Sequence, residues 1–288
     1  MLLRANFATW AFGLWIVLFS LRPAYAADVV RDGFEVQGLS DIWNDKRAPD
    51  NRVSFQTGEA REGRQFLALE VRAEDVDEAC NCQRTEISEA ANMKPEFGSD
   101  VWYRFSLKIL GLNDSFQTTR WVLGGWKQEV DGSPFLALRF DGGVFYITFE
   151  SANTRVMLAS SLIDARRFIK ILKGGQAERF GFITDKDLYF GDSSIRLKHG
   201  KAVYLPDPRG GWVDLMIKVK GGLAGDGIIE IYANDQFVVR ATGKIGVDAP
   251  VGSGQYLRLG HRRDRTDTDA VLLIDDYRRG PTRDSVAN

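Results

Sequence analysis

From residue 101 to residue 109, apolar and polar side chains alternate without a break. Val101, Tyr103, Phe105, Leu107 and Ile109 fall on one side, and Trp102, Arg104, Ser106 and Lys108 on the other. A period of two puts successive side chains on opposite faces of a β-strand, so this run specifies a strand with one buried face. The same spacing recurs at Val213, Leu215, Ile217 and Val219. Residues 135–140 and 144–150 flank Asp141-Gly142-Gly143, and residues 228–233 and 237–241 flank Asn234-Asp235. Both connectors tolerate positive φ and read as hairpin turns. Residues 271–276 supply a last strand. Helical spacing is confined to residues 161–173, where Leu162, Ala165, Phe168 and Ile169 lie three or four apart. Many strands, 29 glycines for tight turns and little helix predict an all-β chain, two antiparallel sheets packed as a jelly-roll (concanavalin-like) sandwich.

The first 26 residues read as a secretory leader. Arg4 is its positive start, residues 7–21 are mostly apolar, and Ala24-Tyr25-Ala26 is a small-x-small cleavage site. Residues 27–288 then form a single domain, without a Pro/Ser-rich linker, that is periplasmic or secreted and free of the membrane. The formal net charge is −1, and removal of Arg4 and Arg22 makes the remainder more acidic. That balance argues against nucleic acid as a partner and leaves room only for local basic patches. Cys80 and Cys82 are the only cysteines. In an oxidising compartment they suggest one disulfide, with free thiols as the alternative, and either way the pair would stiffen the entry to the Arg84 strand.

Two runs place such a basic patch. In Gln83-Arg84-Thr85-Glu86-Ile87, parity groups Arg84, Glu86 and Ser88 against Thr85 and Ile87. In Tyr256-Leu257-Arg258-Leu259-Gly260-His261-Arg262 it groups Tyr256, Arg258 and Arg262 against Leu257, Leu259 and His261. Each strand has a cationic, hydrogen-bonding face backed by an apolar one. The Arg-Thr-Glu run and the Tyr-x-Arg-x-Gly run resemble the motifs of the jelly-roll polysaccharide lyases, the heparin-lyase-I/glucuronan-lyase-like group related to the alginate lyases. Trp102-Tyr103-Arg104-Phe105-Ser106, Ser133-Pro134-Phe135-Leu136-Ala137-Leu138, Gly211-Trp212-Val213-Asp214-Leu215 and Ile274-Asp275-Asp276-Tyr277 fall in the order of that group.

The resemblance implies β-elimination on an acidic, uronate-containing polysaccharide. Such an enzyme neutralises a carboxylate, takes the proton from C5 and protonates the departing glycosidic oxygen. Arg84 matches the neutralising arginine, with Glu86 to hold it, and Arg258 and Tyr256 match positions of the last motif. The group also carries a Gln-x-His strand and a closing Tyr. Here Gly125-Trp126-Lys127 stands for the first, and Arg262 for the second. Lys127, lowered in pKa by neighbouring arginines, or a loop tyrosine such as Tyr189 or Tyr204, would then be the base. Arg262 would hold a carboxylate. Trp126, with Trp121 and Trp102, could stack on sugar rings, and His199 in the irregular stretch 171–211 could reach the substrate. His261 points into the core by parity.

Glu35 with Asp275, beside Asp276, could form a structural calcium site of the kind that joins first and last strands in jelly-roll carbohydrate proteins. No organic cofactor is expected, and the protein would act as a monomer. The replaced Gln, His and Tyr leave a second reading, a non-catalytic binding protein for acidic glycan on the same fold. A glycoside hydrolase would need two carboxylic acids facing one cleft. Glu86 and Glu89, three apart on one strand, face opposite sides.

Overall fold

The computed structural model describes residues 29–111, 120–141, 143–151, 154–161, 195–201, 204–248, 250 and 252–287. The leader, the helical spacing at residues 162–173 and Tyr189 lie outside them. In chain order the strands are β1 (Val30–Asp32), β2 (Trp43–Arg47), β3 (Val53–Thr57), β4 (Gln65–Val71), β5 (Val76–Asp77), β6 (Cys82–Glu89), β7 (Val101–Leu110), β8 (Trp121–Gln128), β9 (Leu136–Asp141), β10 (Val144–Ser151), β11 (Thr154–Ser160), β12 (Arg196–His199), β13 (Val213–Lys220), β14 (Gly222–Ala233), β15 (Gln236–Ile245), β16 (Gln255–Arg263) and β17 (Ala270–Gly280). A single turn of helix, α1 (Arg283–Val286), follows, with Thr282 accepting from the Ser285 amide as its N-cap.

The strands form two antiparallel sheets. The front sheet runs β11-β10-β9-β8-β16-β6-β2, with β5 also on β6. The back sheet runs β12-β15-β14-β13-β7-β17-β4-β3, with β1 also on β17. Each sheet thus inserts a late strand between early ones, β16 between β8 and β6 and β17 between β7 and β4. Those crossovers make the sandwich a jelly roll rather than a meander. The hairpins fall where turn chemistry put them. Asn234 and Asp235 join β14 to β15 at φ 48° and 61°, and Asp141 pairs with Val144 at the β9–β10 turn.

Alternation becomes packing between the sheets. Tyr103, Phe105, Leu215, Ile217, Ile229 and Ile231 from the back sheet meet Ile87, Leu123, Trp126, Leu138, Phe145, Leu257 and Leu259 from the front, all fully buried. At about 25 cal/mol per Å² of apolar surface, this layer is the main driving force for the fold. A polar cluster interrupts it at Glu89. Glu89 at the end of β6 is fully buried and accepts from Arg279 Nη1 at 2.5 Å, Tyr277 Oη at 2.5 Å and the Leu257 amide at 2.6 Å. Arg279 and Tyr277 belong to the back sheet, and Leu257 to the front.

Candidate active site

The polar faces of β6, β16 and β8 lie side by side on the outer surface of the front sheet. Register sets Arg262 opposite Arg84, Arg258 between Ser88 and Gly125, and Tyr256 opposite Lys127. Gly260 makes this possible. It sits opposite Glu86 with φ 128°, and a Cβ there would lie 2.1 Å from the Thr85 carbonyl oxygen. Only glycine lets β16 come so near β6 in that conformation. The pairing of β16 with β8 slips between Leu259 and Arg262, which carries Arg262 past the bulge.

Glu86 orders the floor. Its carboxylate accepts from Arg84 Nε and stands 3.8 Å from Arg258 Nη1. Arg84 also donates through Nη1 to Asp77 Oδ2 at 3.1 Å. Burial disfavours the Arg84 charge, but Glu86 and Asp77 outweigh it and raise its pKa. Arg258 donates to Ser88 Oγ at 3.0 Å and to Tyr256 Oη at 3.2 Å, while Lys94 Nζ lies 4.5 Å from the Tyr256 ring centre. With its oxygen accepting from Arg258, Tyr256 keeps its own hydrogen for another acceptor.

Lys127 and Arg262 complete the group. Both are half-buried, and neither makes a hydrogen bond or ion pair with any described residue. Burial lowers the Lys127 pKa, the charges of Arg258 and Arg262 lower it further, and Glu86 opposes them. Burial also lowers that of Arg262, with Arg84 and Arg258 adding repulsion against the pull of Glu86. Among the described residues the site therefore holds four cations over one central carboxylate, two of them without a described partner. Chemically it can bind anions and offers an amine biased toward its free-base form.

Other expected residues lie elsewhere. Trp126 is not a stacking platform: it is fully buried, 5.4 Å from the Tyr103 ring and 6.3 Å from that of Phe105. The parity that turns Gly125 and Lys127 outward turns Trp126 inward. Trp121 is likewise buried, and its indole donates to His261 Nδ1 at 3.1 Å. His261 Nε2 sits 2.9 Å from the Leu69 carbonyl oxygen. The ring is core, with burial pushing its pKa down to about 3. Trp102 lies on the far face of the back sheet near Tyr232. His199 is exposed on β12, at the edge of the back sheet and opposite Val239, so it is not part of the front-sheet cluster. Tyr204 is exposed, next to Leu205, whose amide bonds the Ser160 carbonyl at the end of β11, four strands from β16.

Glu35 and Asp275, the pair expected to hold calcium, both accept from backbone amides. Glu35 Oε1 accepts from the amides of Arg64 and Gln65 at 2.8 and 3.1 Å. Asp275 Oδ2 accepts from the amides of Arg61 and Glu62 at 2.7 and 3.0 Å, and Oδ1 from that of Asp276 at 2.7 Å. Glu35 Oε1 and Asp275 Oδ2 staple the 61–65 loop; burial, with a smaller contribution from the Glu35 charge, raises the Asp275 pKa, and no group of three metal-binding side chains occurs among the described residues.

Three features escaped the sequence. Asp77 reaches Arg84 from β5, across a hairpin closed by the Cys80–Cys82 disulfide. Lys94 arrives from a turn before β7. Pro134 covers Gly125 so closely that a Cβ there would meet the ring at 2.8 Å. Parity marks a face, not which distant segment covers it.

A family model described as polysaccharide lyase matches residues 35–278. The endo-β-1,4-glucuronan lyase of the fungus Trichoderma reesei superposes with a TM-score of 0.58 at 12% identity, covering 87% of this chain and 95% of that one. Alginate lyase A1-II', a member of polysaccharide lyase family 7, gives a TM-score of 0.47 at 14% identity, covering 80% and 83%. No curated protein matches the chain in sequence. Identities this low speak for the fold alone, and the glucuronan lyase shares it. The family match spans both sheets and every strand of the cationic cluster: the chain belongs to the polysaccharide lyase family.

Proposed function

We propose that the protein cleaves an anionic, uronate-containing polysaccharide by β-elimination on the outer face of the front sheet. The observation that carries this reading is the pair of half-buried cations, Lys127 and Arg262, without a partner among the described residues, beside the ordered Arg84–Glu86–Arg258 row. Arg262 and Arg84 Nη2, which bonds no described residue, hold the substrate carboxylate, and this acidifies the adjacent C5–H. Glu86 repels substrate anions and serves by holding the arginines. Lys127, as the free amine, takes the C5 proton. The electron pair left behind forms the C4–C5 double bond as the C4–O bond breaks. Tyr256 gives its hydroxyl hydrogen to the leaving oxygen, and Arg258 Nη2 steadies the phenolate. Lys127 and Tyr256 are cross-strand partners, so a proton passed from ammonium to phenolate resets both.

The leader-like residues 1–26 and the Cys80–Cys82 bond support an exported protein meeting its polymer outside the cytoplasm. A glycan-binding protein without catalysis is the competing reading, favoured by Pro134 over Gly125 where the family pattern has an amide. The test incubates purified protein with alginate, glucuronan, heparin, heparan sulphate and a bacterial exopolysaccharide. Ultraviolet absorbance follows unsaturated uronate. A rise that Lys127→Ala abolishes supports the lyase. Arg258-dependent binding with no rise on any polymer supports the binding protein.

A further inference from the structure

The disulfide has no part in the chemistry above, yet it closes the turn that carries one of the two carboxylates on Arg84. Asp77 belongs to a two-residue edge strand, β5, paired as Asp77 with Cys82 and Val76 with Gln83. Its Oδ1 accepts from the Ala79 amide at 3.0 Å, its carbonyl from the Cys80 amide at 3.3 Å, and its Oδ2 from Arg84 at 3.1 Å. The Arg84 amide in turn bonds the Asp75 carbonyl at 3.0 Å. Between the cysteines, Asn81 takes φ 49°, a left-handed conformation that asparagine adopts more readily than most residues. A two-residue strand holds poorly by itself, so the bond fastens the turn to the head of β6. The Asp77–Arg84 pair also opens on a cavity of about 340 Å³ lined by Arg47, Pro49, Glu74 and Asp77. Solvent reaches the Asp77–Arg84 pair through it, and Cys80, half-buried, gives a reductant its access to the disulfide, Cys82 being buried.

We propose that Asp77 is a positioning residue for Arg84, held there by the Cys80–Cys82 disulfide, so that reducing this bond loosens Arg84 and weakens the grip on the polymer. The inference rests on the reading of Arg84 as a carboxylate-binding residue. In the redox step, one thiolate of an external dithiol attacks a sulfur of the pair and forms a mixed disulfide. The second thiol resolves it, leaving both cysteines as thiols and the reductant as its own disulfide. Two electrons pass from dithiol to protein. In an oxidising compartment the clasp stays shut.

The experiment compares the oxidised protein, the same protein reduced with dithiothreitol, a Cys80→Ser/Cys82→Ser variant, Asp77→Asn and Asp77→Glu. Hydrogen exchange of the backbone amides is read first. Faster exchange at residues 75–84 in the reduced and Ser/Ser proteins, with the rest of the front sheet unchanged, is the expected result. The second reading is steady-state kinetics on the polymer that the oxidised protein cleaves. Arg84 grips the carboxylate in the ground state and more strongly as charge builds on it in the transition state. Its loosening therefore raises KM by about tenfold and lowers kcat as well, and Asp77→Glu restores most of both losses. Unaltered exchange at residues 75–84 overturns the proposal, and so does an unaltered KM in the reduced and Asp77→Asn proteins. If the oxidised protein cleaves none of the polymers, the lyase reading fails on its own. The Kd for heparin then replaces KM, with the same outcomes deciding the clasp.

Discussion

If Lys127 is the base, its titration governs the rate, and Arg258 sets where that titration falls. Across the β8–β16 pair, Arg258 faces Gly125 while Lys127 faces Tyr256, so Arg258 and Lys127 are diagonal neighbours. Diagonal cross-strand neighbours lie about 7–8 Å apart, their Cβ atoms somewhat closer. At about 7.5 Å and an effective dielectric near 20, two unit positive charges repel by about 2 kcal/mol. That repulsion adds to burial in lowering the Lys127 pKa, and physiological salt weakens it. The sign follows from the chemistry. Lys127 must lose its proton to accept one from C5, so below its depressed pKa kcat/KM climbs about tenfold per pH unit. Arg258→Gln removes the repulsion, raises the Lys127 pKa and moves the rising limb to higher pH. Lys127→Arg keeps the charge but cannot act as a base, and should lose about 10²–10⁴-fold in kcat with no rising limb. Arg258 also holds Tyr256, so Tyr256→Phe is the control: it lowers the rate but leaves the limb in place. The assay is initial rate from ultraviolet absorbance across pH. A limb that stays put in Arg258→Gln, or a Lys127→Arg enzyme that keeps most of its rate, refutes the assignment.

Other expectations concern the frame of the site. His261 is neutral in the fold, with a pKa depressed to about 3, whereas in the unfolded chain it gains a proton near 6.5. Its contribution is fully present above pH 6.5 and is lost as pH falls toward 3, by up to about 4–5 kcal/mol; urea denaturation from pH 7 to pH 4 should show this slope, and His261→Leu should flatten it. Trp126→Ala should cost about 3–5 kcal/mol in denaturant unfolding, whereas a sugar-stacking tryptophan would instead show its loss mainly in KM. Gly260→Ala forces a Cβ against the Thr85 carbonyl at positive φ and should destabilise by more than about 1 kcal/mol. It should also lower kcat/KM through the misplacement of Arg262. A Gly260→Ala protein as stable and active as the parent would show that the close approach of β16 to β6 is not needed.

Period-two patterning made the strands and their faces legible. Val101 to Ile109 turned inward as alternation required, and Arg84, Glu86, Arg258 and Lys127 came to one surface. Which strands neighbour one another was not legible from spacing. β16 enters between β6 and β8 from more than a hundred residues away, and local sequence carries no term for that distance. Trp126 shows the opposite fault, since its parity already pointed to the core and its residue type suggested otherwise. His199 was placed by loop length, and an edge strand in the other sheet took it instead. Glu35 and Asp275 were legible as carboxylates but not as caps, because their partners are backbone amides, which every residue carries. Asp77 and Pro134 act through contacts of shape that a pattern of types cannot encode.

Glu89 has a consequence for how the interior can change over successive substitutions. Its carboxylate binds an arginine and a tyrosine from one sheet and an amide from the other, with no solvent to take over. Losing either charge alone strands the other, at about 3–5 kcal/mol, although an apolar set replacing all the polar side chains together can be neutral. The three side chains therefore form one inherited unit. Paths through single replacements are blocked, and relatives with this fold should carry all of Glu89, Tyr277 and Arg279 or none. Since the Leu257 amide lies between Tyr256 and Arg258, any lineage that exchanges the unit must rebuild the footing of both at once.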